Sequence, residues 1–272
     1  MLSKINHVAI VSENYAQLAQ FYEAAFAMKT SAKTRPGRAV TVGDGYVGLN
    51  INPRRAGRAA GLDHFGIQVE DCETVFERMR KKYPTVKWLK RPSNRPFAGL
   101  SSHDPAGNFF DLSHVSMANR TDAYTDTSLQ GQELPARVHH FMLRAMDPAV
   151  LARFYADVYE LQEQPKDAGD PRYYLSDGRI TLVIAPWKIS DWEGSTAELP
   201  AIDHIGFQIK SMDDFDATIR QITGRNRIIS PRLLHGGGDE REARLQLFKR
   251  CCPYGEFHLA DPDGNLLDVV EG

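Results

Sequence analysis

The stretch IDHIGF, residues 202–207, decides the fold, because the chain repeats it in variant form: INHVAI (5–10), LDHFGI (62–67), VHHFML (138–143) and IDHIGF itself. Each copy starts apolar, carries a histidine in third place and returns to apolar residues, as a buried strand with one polar side chain would. The four histidines are His7, His64, His140 and His204. Self-similarity on this scale means an architecture built by duplication, so the rest of the chain is best read copy by copy.

Copies one and three stay in register well past the histidine. Phe21-Tyr22 follows His7 at the same interval as Phe154-Tyr155 follows His140. Asp44-Gly45 answers Asp177-Gly178 and Pro53 answers Pro186, and every pair keeps one common offset. Copies two and four agree at their ends, DPAGNFFDL (104–112) with DPDGNLLDV (261–269). The terminal motifs of that pair stand further apart than its histidines, His64 and His204, so copy four carries an insertion. The insertion is placed in RLLHGGGDEREARLQLFKRCCPYG (232–255), where the glycine run and the charges suggest a loop or lid.

Within a copy the expected order is strand, helix, then several strands. NYAQLAQFYEAAFAM (14–28) and PAVLARFYADVYEL (148–161) have apolar residues at helical spacing. YVGLNIN and RITLVIAP read as buried strands, each after an Asp-Gly turn. DPxGN is a further turn, since Pro fixes φ and Gly tolerates φ > 0. The polar segment 116–136 is the expected linker between two halves, 1–118 and 136–272.

Composition narrows the function. The chain has 272 residues with 33 Lys and Arg against 35 Asp and Glu, a net charge of -2, which argues against nucleic-acid binding driven by charge. No apolar run approaches a membrane span, and the first residues read as a strand, not a secretory signal. Three cysteines, two of them adjacent at Cys251-Cys252, fit a reducing cytoplasm better than a disulfide framework. Cys251-Cys252 is read as packing beneath the extra segment. No phosphate-binding or dinucleotide-binding glycine motif occurs. Nearly half of RMRKKYPTVKWLKRPSNR (78–95) is Lys or Arg; this run is read as a helix C-terminus followed by an exposed loop.

Four such units, with histidine on the first strand and DPxGN plus a carboxylate on the last, resemble the vicinal oxygen chelate superfamily, which includes glyoxalase I, bleomycin-resistance proteins and extradiol dioxygenases. The resemblance implies an α+β fold of four tandem βαβββ modules, paired into two half-barrel cups with metal ligands on their inner walls. The four-module length is most similar to two-domain extradiol dioxygenases, whose ligands lie in the C-terminal half. The matching residues are His140, His204 and Asp268, with Asp in place of the usual Glu. His7, His64 and Asp111 form the same set in the N-terminal half, an alternative site.

Two imidazoles and one carboxylate on one face of an ion suit Fe(II), with Mn(II), Zn(II) or Ni(II) as alternatives, and leave positions open for a vicinal diol and dioxygen. The resemblance places Thr181 where an acid/base histidine is expected and His258 where a tyrosine usually stands. His258 is therefore the acid/base candidate, with Tyr254 and His235 as assisting residues. Gly48 and Thr181 stand where glyoxalase-like modules add a further carboxylate. The expected partners are a small aromatic substrate and dioxygen, and a homo-oligomer is consistent with the superfamily. The expected activity is extradiol ring cleavage; the alternatives are a metal-dependent isomerase, epimerase or lyase, or a non-catalytic aromatic-ligand binder.

Overall fold

In a computed structural model, which describes residues 2–31, 39–91, 99–116, 134–194, 201–232, 234 and 240–272, the repeats become two sheets of related topology. The first half runs β1 (Ser3–Ser12), α1 (Tyr15–Phe26), β2 (Lys29–Thr30), β3 (Val40–Gly43), β4 (Gly48–Pro53), β5 (Gly61–Val69), α2 (Cys72–Lys82), β6 (Trp88–Lys90), β7 (Leu100–His103) and β8 (Phe109–His114). The second runs β9 (Ala136–Ala145), α3 (Pro148–Tyr159), β10 (Gln162–Glu163), β11 (Tyr173–Ser176), β12 (Thr181–Pro186), β13 (Ile202–Ile209), α4 (Met212–Arg225), α5 (Glu240–Cys251), β14 (Phe257–Ala260) and β15 (Leu266–Glu271). The sheet orders are β2-β3-β4-β1-β5-β8-β7-β6 and β10-β11-β12-β9-β13-β15-β14. In both, the histidine strands pair antiparallel at the centre, flanked on each side by a parallel neighbour.

The first helix of each half packs against the other half. Phe26 of α1 stacks on Phe207 of β13 with ring centroids 3.8 Å apart, and Tyr155 of α3 lies 5.9 Å from Phe65 of β5. One apolar core runs through both sheets, with Phe21, Tyr22, Phe154 and Tyr155 fully buried in it. Among the described residues no helix is long and apolar enough to cross a membrane.

The repeated aspartates clasp the two halves together. Asp44 closes its own turn with one oxygen, accepting from the Tyr46 and Val47 amides, while Oδ2 accepts the Val138 amide of β9 at 2.9 Å. Asp177 does the same, and its Oδ2 accepts the Ile5 amide of β1 at 2.8 Å. The DPxGN aspartates repeat the exchange with side chains: Tyr22 donates to Asp261 at 2.8 Å, and Tyr155 to Asp104 at 3.0 Å. A motif that reads locally as a turn thus also satisfies a buried donor far away in sequence. Replacing Asp44 with Ala strands the Val138 amide and undoes the turn. At about 1–3 kcal/mol for a buried unsatisfied donor plus the lost turn bonds, Asp44→Ala is expected to destabilise the chain by about 3 kcal/mol. Asp177→Ala should match it, and denaturant unfolding measures both.

Three expectations change. The inserted segment of copy four is not simply a loop, since residues 240–251 form α5, whose Phe248 and Cys251 are buried. Among the described residues, the outermost strand of that copy is reduced to a bridge between Arg232 and Ala260. The basic run past α2 is not simply an exposed loop: Trp88–Lys90 is β6, Trp88 stacks on Phe76, and Arg91 turns inward. Residues 92–95 of that run, and 117–133 of the expected linker, lie outside the described residues.

Candidate metal centre

Each of the four histidine strands contains a one-residue irregularity just before its histidine. Ile5 pairs with Ile67 and His7 with Gly66, so Asn6 has no opposite number; Asp63, His139 and Asp203 are skipped in the same way. Two residues facing one is a β-bulge, which breaks the strict alternation of side chains. The residue before each histidine can then reach that histidine's Nδ1. The distances are 2.7 Å from Asn6 Oδ1 to His7, 2.6 Å from Asp63 Oδ2 to His64, 3.0 Å from His139 Nδ1 to His140, and 2.8 Å from Asp203 Oδ2 to His204. A partner on Nδ1 orients the ring and leaves Nε2 to face into the cup.

In the C-terminal half three such atoms converge. His140 Nε2 lies 3.3 Å from His204 Nε2 and 3.3 Å from Asp268 Oδ2, and His204 Nε2 lies 4.0 Å from the same oxygen. The point equidistant from all three is about 2.1 Å from each, within the ~2.0–2.2 Å that nitrogen and carboxylate ligation of a divalent ion requires. All three side chains are wholly buried, and among the described residues neither oxygen of Asp268 has a hydrogen-bond partner. At 3.3 Å the His140 ring touches Asp268 without hydrogen-bond geometry. A buried bare carboxylate is costly, and a cation at that point would relieve it. Burial, the largest influence, lowers the His140 pKa, and the neighbouring His139 is lowered to about 4, so both rings are neutral and His139 can accept the His140 Nδ1–H. The donor set therefore fits a divalent metal.

The N-terminal half has the same residues in a different electrostatic state. Asp111 Oδ2 lies 3.3 Å from His64 Nε2 and 3.9 Å from His7 Nε2. Its other oxygen, however, accepts from Ser101 Oγ at 2.9 Å and lies 3.3 Å from Arg91 Nη2. A guanidinium already neutralises this carboxylate. His64 sits between Asp63 and Asp111; burial would lower its pKa, but the two carboxylates outweigh burial and push it up to about 9. A metal would have to displace that proton before His64 could ligate it. Because the folded pKa is raised above 6.5, the stability His64 contributes is complete below about pH 6.5 and is lost as pH rises through about 9. Unfolding free energies across that window should fall more steeply for the wild-type chain than for Asp63→Asn.

Of the assisting residues, His258 on β14 stands opposite Asp268 in the strand ladder, its Nε2 3.6 Å from Asp268 Oδ1. Among the described residues that nitrogen is buried without a hydrogen-bond partner, and burial lowers its pKa. The Tyr254 ring lies 4.8 Å from the rings of both His139 and His140, with its hydroxyl in contact with Thr181, which pairs with His140. His235 lies outside the described residues. Sequence reasoning missed His139, Asp203 and Arg91. The available signal was the repeated Asp-His pair of LDHFGI and IDHIGF.

Residues 4–112 match the model of the family described as Glyoxalase/Bleomycin resistance protein/Dioxygenase superfamily. No curated protein sequence matches the chain. Similar solved structures include 2,2',3-trihydroxybiphenyl 1,2-dioxygenase from Sphingomonas wittichii strain RW1, 13% identical with a TM-score of 0.64, covering 100% of this chain and 91% of that one. The Mn(II)-bound glyoxalase from Novosphingobium aromaticivorans is 12% identical with a TM-score of 0.65, covering 99% and 82%. Homoprotocatechuate 2,3-dioxygenase from Arthrobacter globiformis is 13% identical with a TM-score of 0.60, covering 100% and 80%. At these identities the likeness is one of fold.

Proposed function

We propose that this chain, which carries at residues 4–112 a domain of the Glyoxalase/Bleomycin resistance protein/Dioxygenase superfamily, is a metal-dependent extradiol-type dioxygenase that cleaves a catecholic or related aromatic substrate. Its working site is in the second cup, residues 136–272, with His140, His204 and Asp268 as the ligands. The observation that carries this reading is the fully buried Asp268, with no hydrogen-bond partner among the described residues, facing two Nε2 atoms at 3.3 and 4.0 Å. The corresponding Asp111 is already engaged by Arg91 and Ser101, which argues against the first cup.

When bound, Fe(II) would supply open positions for two vicinal oxygens and a conduit for electrons passing from the substrate to dioxygen. The chain's own residues do the rest. Asp203 holds the His204 ring by its Nδ1, and His139 holds His140. His258, neutral and with a free Nε2, accepts the proton that a substrate hydroxyl gives up on ionising and can return it to the product. Tyr254 walls the site over His140 and offers a hydroxyl beside it.

Protein purified anaerobically and loaded with Fe(II) should consume dioxygen with at least one member of a broad catechol panel, forming a yellow ring-opened product. No oxygen uptake across the panel, with iron bound, overturns the proposal. Thr181 beside His140, in place of a second histidine, favours one other reading: an isomerase or lyase that needs no oxygen. Turnover under argon with Mn(II) or Ni(II) would establish that reading instead.

A further inference from the structure

Asp268 has two carboxylate oxygens, and only Oδ2 faces His140 and His204. Oδ1 lies 3.6 Å from His258 Nε2, and among the described residues neither atom has a hydrogen-bond partner although both are buried. Cys252, 3% exposed and immediately after α5, completes a second cluster: its Sγ, His258 and Asp268 offer ligand atoms all within 4.8 Å of one another. Gly255 keeps the space between them open. A Cβ there would lie 1.9 Å from His258 Nε2 and 2.5 Å from Asp268 Oδ1, so any side chain would fill the gap between the donors.

We propose that Cys252, His258 and Asp268 Oδ1 form a second divalent-metal site of zinc type, with the Asp268 carboxylate shared between it and the His140–His204 site. The donor chemistry sets the preference. Thiolate with imidazole and carboxylate selects Zn(II) or Co(II), whereas two imidazoles and a carboxylate without sulfur suit Fe(II) or Mn(II). The thiol loses its proton to solvent as the ion binds, and no redox change is involved. An ion there ties the inserted segment that carries α5 to β14 and β15. It also takes His258 out of proton transfer, so zinc bound at this site inhibits any reaction that needs that imidazole. The site itself does not depend on what the reaction is.

The test is titration of the metal-free full-length chain with Co(II), read as stoichiometry and as the thiolate-to-cobalt charge-transfer absorption in the near ultraviolet. The wild-type chain should show the thiolate band. Cys252→Ala and His258→Ala should lose it and bind one ion fewer, while His140→Ala should keep it. Zn(II) should displace the band. Alanine at 252 preserves an apolar contact with Phe248 and Leu266, and circular dichroism checks the fold. Should it fail to fold, Cys252→Ser carries the same readout. Absence of the band in the wild-type chain, or its survival in a folded Cys252 variant, overturns the proposal. A wild-type chain that shows the band yet takes up no ion at its intact His140–His204 site would sink the proposed reaction and leave this site standing.

Discussion

Mn(II) binding is expected to weaken by more than ~100-fold in His140→Ala, His204→Ala and Asp268→Asn, and to remain unchanged in His7→Ala. Even removal of a residue that merely orients a ligand typically weakens metal binding by ~10–100-fold, and each of these changes deletes a donor atom or the charge of the ligating carboxylate. Mn(II) is the suitable probe because it has little affinity for the Cys252 thiol and reports the oxygen and nitrogen donors alone. Loss of the free Mn(II) electron paramagnetic resonance signal measures occupancy directly. Asp268→Asn carries a second signature that separates ligation from architecture. With no metal, the wild-type carboxylate is buried without a hydrogen-bond partner among the described residues, so the amide should leave the metal-free chain as stable as before or more so. With metal at ~100 times the wild-type dissociation constant, wild type should gain about 2.7 kcal/mol and the variant less than about 0.4 kcal/mol. Retention of Mn(II) by Asp268→Asn together with its loss in His7→Ala would move the centre to the other cup.

The large-scale plan was legible because duplication repeats its own landmarks. His7, His64, His140 and His204 mark the central strands, and the Asp-Gly and DPxGN turns mark the ends of modules. Alternation correctly grouped Leu266 with Asp268, away from Leu267 and Val269, which enter the main core. The same alternation concealed the shell around the histidines. It sends neighbours to opposite faces, so Asp203 should point away from His204; the bulge that brings it to Nδ1 is a break in pairing with the partner strand. Arg91 was hidden for another reason. It is one of many cations in a basic run, and only the path of β6 beside β7 selects the one that reaches Asp111. The roles of Asp44 and Asp177 in holding the opposite half were equally invisible, because each aspartate also has a sufficient local reason to stand in its turn.

Gly206→Ala is expected to cost the C-terminal centre its metal and the chain part of its stability, whereas Gly66→Ala costs stability alone. The glycine of IDHIGF pairs across the sheet with His140, whose ring lies over it: an added Cβ would be 1.8 Å from Cε1 and 2.0 Å from Nδ1. Gly66 holds the same position beneath His7, where the nearest approach would be 2.0 Å. Both overlaps are too severe for small adjustments, so the imidazole must swing away or the strands must part. Overpacking of this kind destabilises by about 1–3 kcal/mol, similar in the two variants. The functional outcomes diverge. A displaced His140 ring loses its place 3.3 Å from both His204 and Asp268, and Mn(II) affinity should fall at least ~10–100-fold. A displaced His7 ring perturbs a carboxylate that Arg91 and Ser101 already hold, and Mn(II) binding should not change. Because the two substitutions are the same chemical change at equivalent positions, their difference cancels the packing term and isolates ligation. Wild-type Mn(II) affinity in Gly206→Ala would mean that His140 is not a ligand.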